Sequence, residues 1–572
     1  MLKDDRFQGI TFQDVRRDFT AGITVGIVAI PLGMAFAIAS GVKPEYGLYT
    51  TIIAGIIVAL LGGSRFQIAG PTGAFIPILL AIVLQYGYEN LLIAGFLAGI
   101  MLVLMSFFKL GNLIKFIPRS VTIGFTSGIA VIIFTGQIGD FLGLEGVERK
   151  EYFHQNMMEL FHHLSTVNFY SVATALIGFI VIIGVPRLFP RIPVLLVALI
   201  VPTLIAYFFY PGKIETIGTA FGGIAQSLPQ FQLPEITWEK ILLLWQPAFV
   251  IAMLGGIESL LSAVVADGMT GKRHHSNKEL FGQGIANIIT PLFGGIPATG
   301  AIARTATNIK SGAVSPLSGV FQGLFVLVTL LLFAPFAAHI PLASMAPILM
   351  VVAFNMSEYK TFFHMVKMKS SDSVVLVVTF LLTVFVNLTA AVQVGLLLAM
   401  FSFIKRMSEV LEVEKIMPKL KSSQREEIAA TTEEDYQYAC PKLTVFTVEG
   451  ALFFGAADKF QTTISRSINK RPDVIVLVMK RVPFMDATGV GNLTALVNDF
   501  HKKGGRIFIA EANEQVLAVI RSSGLFDKIG EQNFFRNGTE AINTGLDLVQ
   551  TDKCTTCQKQ GASSCQVFEK RV

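Results

Sequence analysis

Two charged residues stand where charge is most expensive. Glu258 lies in the middle of an apolar run at 245–267, with Ser262 one helical turn further along the same face. Arg304 follows the Gly/Pro-broken start of another run. An ionisable group within membrane-spanning sequence is by default a functional candidate, because it must find a partner or stay neutral. For Glu258 the sequence offers three partners: Arg304, a coupled proton or a metal cation. The structural alternative is a Glu258–Arg304 pair that only holds two helices together. Arg304 offers planar donors suited to carboxylate, bicarbonate or sulfate, against the plainer reading of a side chain snorkelling to the interface. Asp267 falls at the end of its run and reads as a helix-end or loop contact.

Arg304 belongs to one of two similar strings. Residues 69–77 read AGPTGAFIP and residues 297–310 read PATGAIARTATNIK, sharing Thr-Gly-Ala at 72–74 and 299–301. Each is a broken start to an apolar segment, and the two hold corresponding places in two halves of the chain. Such a pair points to the binding site of a secondary transporter built from inverted repeats. A helix starting at mid-membrane directs its unpaired N–H groups and positive dipole end inward. Two facing starts make an anion site, to which Thr72, Gly73, Ala74, Ala301, Ile302 and Ala303 contribute mainly backbone N–H groups.

The elements that must position these groups are membrane spans. Of 572 residues, 52% are hydrophobic and 15% charged, with 47 phenylalanines; mean hydropathy is +0.60. That excludes an ordinary soluble enzyme. No secretory signal is visible in the charged N-terminal stretch, and no catalytic motif or cofactor signature. The net charge of +6 is spread between spans, which argues for topology signals and against nucleic acid.

Fourteen apolar runs occur at 20–39, 47–62, 72–86, 90–108, 120–142, 169–184, 192–210, 245–267, 280–293, 300–309, 315–335, 345–356, 372–386 and 391–404. The third, tenth and twelfth are short and bounded by Gly or Pro, as half-helices are. Basic residues concentrate in the even-numbered connections (Arg65, Lys109, Arg119, Arg187, Lys272, Arg273, Lys310, Lys367). The bias places both termini in the cytoplasm. The organisation expected is a cytoplasmic segment 1–19, a membrane domain 20–406, a charged helical or loose linker 407–436, a soluble domain 437–550 and a tail 551–572.

In the soluble part, Leu443–Val448, Asp473–Met479 and Arg506–Ala510 read as strands, and Gly489–Lys502 and Glu514–Ser522 as helices. That alternation predicts a small α/β domain with helices on one side of the sheet. The cysteines are Cys440, Cys554, Cys557 and Cys565. Cys554 and Cys557 form a C-x-x-C, but the tail supplies three thiols and no histidine, so no closed metal site is expected and a reduced, flexible cytoplasmic tail is the plainer reading.

Several motifs carry a resemblance. Pro44-Glu45-Tyr46-Gly47-Leu48-Tyr49 followed by Gly62-Gly63-Ser64-Arg65, Pro31-Leu32-Gly33-Met34-Ala35-Phe36, Ala266-Asp267 and Arg304-Thr305 make the chain similar to the SulP family of anion transporters, which includes sulfate permeases, bicarbonate transporters and prestin. The C-terminal domain resembles a STAS domain, with Met485-Asp486-Ala487-Thr488-Gly489 at its helix-opening turn. The resemblance implies a multi-span α-helical protein of 14 segments as two inverted seven-segment repeats. A core domain (runs 1–4 and 8–11) works against a gate domain (runs 5–7 and 12–14), followed by the cytoplasmic α/β domain, usually in a homodimer. It implies an anion held by Phe36, Thr72, Phe75, Ala301, Ile302, Ala303 and Arg304, with Glu258 at the coupling-carboxylate position. Leu32 replaces a common Gln of the first-span motif. Ile302 and Glu258 stand where the sodium–bicarbonate branch has Thr and Asp, and an isoleucine supplies no oxygen ligand.

The expected function is therefore a secondary anion transporter for sulfate, bicarbonate or a dicarboxylate, coupled to H⁺ through Glu258. The alternative is sodium–bicarbonate symport with Glu258, Ser262 and Thr299 as cation ligands. A membrane-bound signalling module with the STAS domain as output, and a channel, are further readings. Thr488 falls where phosphorylated STAS relatives carry Ser or Thr; the plainer reading is a turn capping the next helix.

Overall fold

All fourteen apolar runs become helical in a computed structural model of the protein, which describes residues 4–112, 118–189, 193–224, 226, 228–416, 442–467 and 472–551. The tail cysteines and Cys440 lie outside these residues. The chain divides into two units, Met1–Ala399 and Met400–Val572.

The first unit contains two groups of helices. One comprises α1 (Phe12–Ala39), α2 (Pro44–Leu61), α3 (Ile76–Tyr86), α4 (Tyr88–Phe107) and their later counterparts. The other begins with α5 (Arg119–Gly136), α6 (Ile138–Leu142), α7 (Phe153–His162), α8 (Phe169–Leu188), α9 (Val194–Phe209) and the short α10 (Ile217–Phe221). The second half repeats the order: α11 (Trp238–Thr270), α12 (Ser276–Ile289), α13 (Ile302–Lys310) and α14 (Leu317–Ala337) return to the first group. Then α15 (Leu342–Met356), α16 (Tyr359–Lys367), α17 (Ser371–Phe385) and α18 (Leu388–Glu409) return to the second. Among the described residues, nine helical stretches are long and apolar enough to cross a membrane.

Outward-facing side chains such as Ile180, Phe208, Phe209, Leu332 and Phe333 are exposed. This apolar surface suits lipid, as a membrane bundle requires. Inside, close packing depends on small residues. A side chain on Gly47 would meet the carbonyl of Gly33 at 1.9 Å, so glycine at 47 is what lets α1 and α2 approach this closely here. Buried polar groups tie the ends together. Asp18 accepts from the Val314 and Ser315 amides at 2.7 and 3.1 Å, and Glu279 from those of Gly63 and Ser64 at 2.8 and 3.0 Å. Before α1, Arg6 reaches the carbonyls of Ala59, Leu60 and Ser64 at the end of α2. Burial alone would raise the Asp4 carboxyl, but hydrogen bonds from Arg6 and Lys278 hold it well below the usual carboxylate range.

The tenth run departs from its expected character. It becomes a polar helix: Arg304, Thr305 and Asn308 are buried while Ile302 and Ala303 are exposed. Its polar face is turned inward because the partners are there. Asn308 Nδ2 donates to Phe66 O at 3.0 Å and to Ser318 Oγ at 2.8 Å.

After two short strands in the first unit, β1 (Ala69–Gly70) and β2 (Thr299–Gly300), the second unit holds β3 (Glu412–Ile416), β4 (Leu443–Glu449), β5 (Val474–Arg481), β6 (Arg506–Ala510) and β7 (Phe534–Phe535), a five-stranded sheet in that order. In it β3 runs antiparallel to β4 and the rest are parallel. Two expectations need correction. The linker expected over 407–436 contains strand β3, concealed in the sequence because its charged residues suit an edge position. Helices also cover both faces of the sheet. On one side lie α19 (Ala457–Ser467), α20 (Ala487–Lys502), α21 (Glu514–Ser522) and α22 (Leu525–Ile529). On the other, α23 (Gly538–Thr551) sets Ala541, Ile542, Leu546 and Val549 against Val445, Val476 and Phe508. The near-continuous burial of β5 requires this second layer.

Candidate functional site

The two Thr-Gly-Ala strings meet. Residues Ala69–Gly70 (β1) pair antiparallel with Thr299–Gly300 (β2), in the register Ala69 to Gly300 and Gly70 to Thr299. Each short strand feeds a half-helix. A 3₁₀ turn over Gly73–Phe75 leads into α3, and α13 starts directly after Ala301. The strand crossing fixes where both helices begin.

Hydrogen bonds pin the crossing from every side. Ala301 N donates to Ile68 O at 2.8 Å, and Ile68 N to Thr305 Oγ1 at 3.0 Å. Gly300 N donates to Ser259 Oγ at 3.0 Å, while Gln67 Nε2 donates to Ser259 O at 3.0 Å. Upstream, Asn287 brackets Ala298 with two bonds of 2.8 Å, and Thr50 Oγ1 accepts from Ile296 N at 2.7 Å. Sequence reasoning missed Ser259, Gln67, Thr305, Asn287 and Thr50. For Ser259, Thr305, Asn287 and Thr50 the signal is a small or amide polar residue inside an apolar run, which must be satisfied once buried; Gln67 lies between two runs and gives no such signal.

The half-helix starts are open. Neither is capped by a side chain. Thr72 sits at the N-cap position, where threonine ordinarily accepts from the following amides. Its hydroxyl instead donates to Glu258 Oε2 at 3.0 Å. The first N–H groups of both half-helices are thus left for another acceptor. Gly73 and Ala74 are buried, Thr72 half-buried, and Ile302 and Ala303 exposed. Phe36, Ala74 and Phe75 share one apolar cluster, and Phe75 packs against Gly255 of α11, where a Cβ would stand 3.2 Å from Phe75 Cζ.

Arg304 is 2% exposed. Its Nη2 donates to Pro71 O, at the end of the opposite strand, while its buried Nη1 has no hydrogen-bond partner among the described residues. A Cβ on Gly70 would lie 2.6 Å from Nη1, so glycine there makes room for the guanidinium. A buried cation with a spare donor beside two open helix starts is chemically an anion receptor.

The Glu258–Arg304 pair allowed by the sequence is not among the ion pairs of the described residues; Glu258 bonds to Thr72. Ser262 and Thr299 also bond elsewhere. Ser262 Oγ donates to Thr305 Oγ1 at 3.2 Å. Thr299 Oγ1 donates to Gly255 O at 2.9 Å and lies 2.8 Å from Ser259 Oγ. Asp267 is the expected loop contact, accepting from His274 N at 3.2 Å and lying 2.7 Å from His274 Nδ1. In the second unit Thr488 is exposed in the first turn of α20. It does not cap the helix: Asp486 does, accepting from Gly489 N at 2.8 Å.

A membrane bundle with two half-helices crossing at its centre defines a transport protein. Residues 15–379 match the model of the sulfate permease family and residues 436–541 that of the STAS domain. The chain belongs to the sulfate permease family. It is 51% identical over 535 residues to the putative sulfate transporter YvdB of Bacillus subtilis, covering 94% of this chain and 98% of that one. With the bicarbonate transporter BicA of Picosynechococcus it shares 30% identity over 553 residues, 94% of this chain and 96% of that protein. The solved structure of the murine anion transporter Slc26a9 superposes with a TM-score of 0.83 at 19% identity, over 95% of this chain and 93% of that one. At that identity the likeness concerns the fold.

Proposed function

We propose that this protein is a proton-coupled anion symporter working by alternating access, with sulfate, bicarbonate or a dicarboxylate as substrate. Membership of the sulfate permease family makes it an anion transporter. The relatives' names favour sulfate and bicarbonate among the anions. The observation that carries the reading is the buried Arg304 with its free Nη1, set between two uncapped half-helix starts.

Phe36, Thr72, Gly73, Ala74, Phe75, Ala301, Ile302, Ala303 and Arg304 form the proposed anion pocket. Glu258 supplies the coupling. Its bond to Thr72 joins the carboxyl to the first turn of one half-helix. A charged Glu258 repels an anion bound there, and a proton on Glu258 removes that repulsion. Proton and anion therefore favour each other's binding, which is the thermodynamic requirement for symport. Sodium symport is the weaker reading, since the hydroxyls of Ser262 and Thr299 already serve the α11–α13 and α11–β2 joints.

The charge bias of the connections supports both termini in the cytoplasm and a membrane domain over 20–406, and the family resemblance supports a homodimer in the cell membrane and a STAS domain with Thr488 as a candidate regulatory phosphosite. The test is uptake of labelled sulfate, bicarbonate and fumarate by proteoliposomes under an imposed pH gradient, with and without sodium. Uptake that follows the pH gradient in sodium-free buffer supports the proposal. Strict sodium dependence replaces it with the alternative, and absence of all three uptakes in folded protein refutes the substrate class.

A further inference from the structure

A cavity of about 950 Å³ opens at the end of the first unit where α1 gives way to α2, opposite the N-terminal segment. Its floor includes Ile76, Pro77 and Ile133, and its wall Asp140 and Arg149. Ile133 is also the floor's link to the proposed anion site: a Cβ on Gly73 would lie 3.5 Å from Ile133 Cδ1 and 2.8 Å from Met356 Sδ. The cavity thus stops one side chain short of the half-helix start. Under the charge bias of the connections this is the external mouth.

Arg149 spans that mouth. Its Nη1 donates to Ile38 O at 2.6 Å, at the last turn of α1, and its Nη2 lies 3.4 Å from Asp140 Oδ2 on α6. The two acceptors belong to different helix groups. Helix α1 packs on α2 and α14, beside the site, whereas α6 packs on α8 and α15. The arginine is anchored at its base, because Asn156 of α7 accepts from Lys150 N at 2.8 Å and donates to Lys150 O at 2.7 Å. Helix α1 also touches α9 and α15 of the second group, and at this end Arg149, held on a fixed loop, adds a polar bridge across the seam.

We propose that Arg149 is the external latch of the transporter. With Arg149 bonded to both Ile38 and Asp140, α1 and α6 are held together and the cavity stays sealed from the anion site. Opening towards the outside requires the core group to move against the gate group, which breaks one of the two contacts. Arginine suits the task because a planar fork serves two acceptors at once, while the single ammonium of lysine cannot reproduce that geometry. The proposal rests on the alternating-access reading above, but the test needs neither substrate nor coupling ion.

The full-length protein, with its four cysteines replaced and Met356→Cys as reporter, is reconstituted outside-out and treated externally with a membrane-impermeant maleimide. Met356 packs on Gly73 beyond the cavity floor, so external labelling reports opening. Loss of the tie in Arg149→Ala should raise the labelling rate about fivefold or more by shifting the open population. Asp140→Asn should raise it less, since the bond to Ile38 survives. Should Arg149→Ala fail to fold, Arg149→Lys carries the test, with a smaller rise expected. An unchanged rate in folded Arg149→Ala, or in Arg149→Lys where that variant stands in, overturns the latch. A wild type that shows this labelling pattern but takes up none of the tested anions counts against the transport reading and leaves the latch standing.

Discussion

The two half-helix starts occupy equivalent places in the two repeats, yet they are chemically unlike. The first, from Thr72 to Tyr86, is apolar and buried from Gly73 to Leu79, and the one hydroxyl at its start is committed to Glu258. The second, from Ala301 to Lys310, buries its polar face and carries Arg304. Arg304 then reaches back to the first arm through Pro71 O. The fold provides two positive helix ends by symmetry, while the full charge comes from one arm and the carboxylate contact from the other. The two matched arms frame the proposed receptor, and their unlike chemistry lets the proposed anion and proton roles be separated by mutation.

Removing Arg304 should have the largest effect. In Arg304→Ala the proposed anion loses a buried full positive charge and the spare donor of Nη1. Uptake should fall on the order of 100-fold or more while the protein still folds. Wild-type uptake by a well-expressed mutant would show that the arms are not chemically divided.

Gly300→Ala attacks the crossing itself. Its Cβ would lie 1.6 Å from Gln67 Nε2, so Gln67 must leave its bond to Ser259. A stability loss of about 1–3 kcal/mol is expected from the overpacking, read as a lower unfolding temperature, with weaker uptake in the surviving fraction. An unperturbed unfolding temperature would mean that the strand pair does not set the half-helix positions.

Glu258→Gln separates the two ends. Anion exchange should persist, because Arg304 and both helix starts remain, while accumulation driven by a pH gradient should be lost. Undiminished accumulation would remove Glu258 from coupling. Thr72→Val is the mildest change. It deletes one hydrogen bond, of about 1.5–3 kcal/mol when the acceptor is charged, so the pH dependence of uptake should shift with little change in maximal rate. A shift no larger than that of a control substitution on α4 would break the link between the carboxyl and the first arm.

The pairing of the arms was legible in the sequence because Thr-Gly-Ala recurs at matched places in two halves, and because Pro and Gly stop an apolar run abruptly. The strands Leu443–Glu449, Val474–Arg481 and Arg506–Ala510 were legible too, from β-branched runs between turns. What did not show is equally physical. Helix α13 is amphipathic in its sequence, but its periodicity does not reveal that the polar face is the inward one until its neighbours are known. Strand β3 alternates charges with two apolar residues and reads as linker until its partner β4 is known. The partners of Glu258 and Ser262 depended on side-chain direction: one turn apart on α11, they bond to different arms, Thr72 and Thr305.

The central claim is that an anion binds between the two helix starts, held by Arg304. Calorimetric titration of the detergent-solubilised full-length protein with sulfate, and in parallel with bicarbonate, tests it without requiring transport. The account predicts saturable binding of at least one anion to the wild type, retained in Glu258→Gln at low pH and lost in Arg304→Ala of equal thermal stability. Equal binding by wild type and Arg304→Ala would place the anion elsewhere and contradict the account.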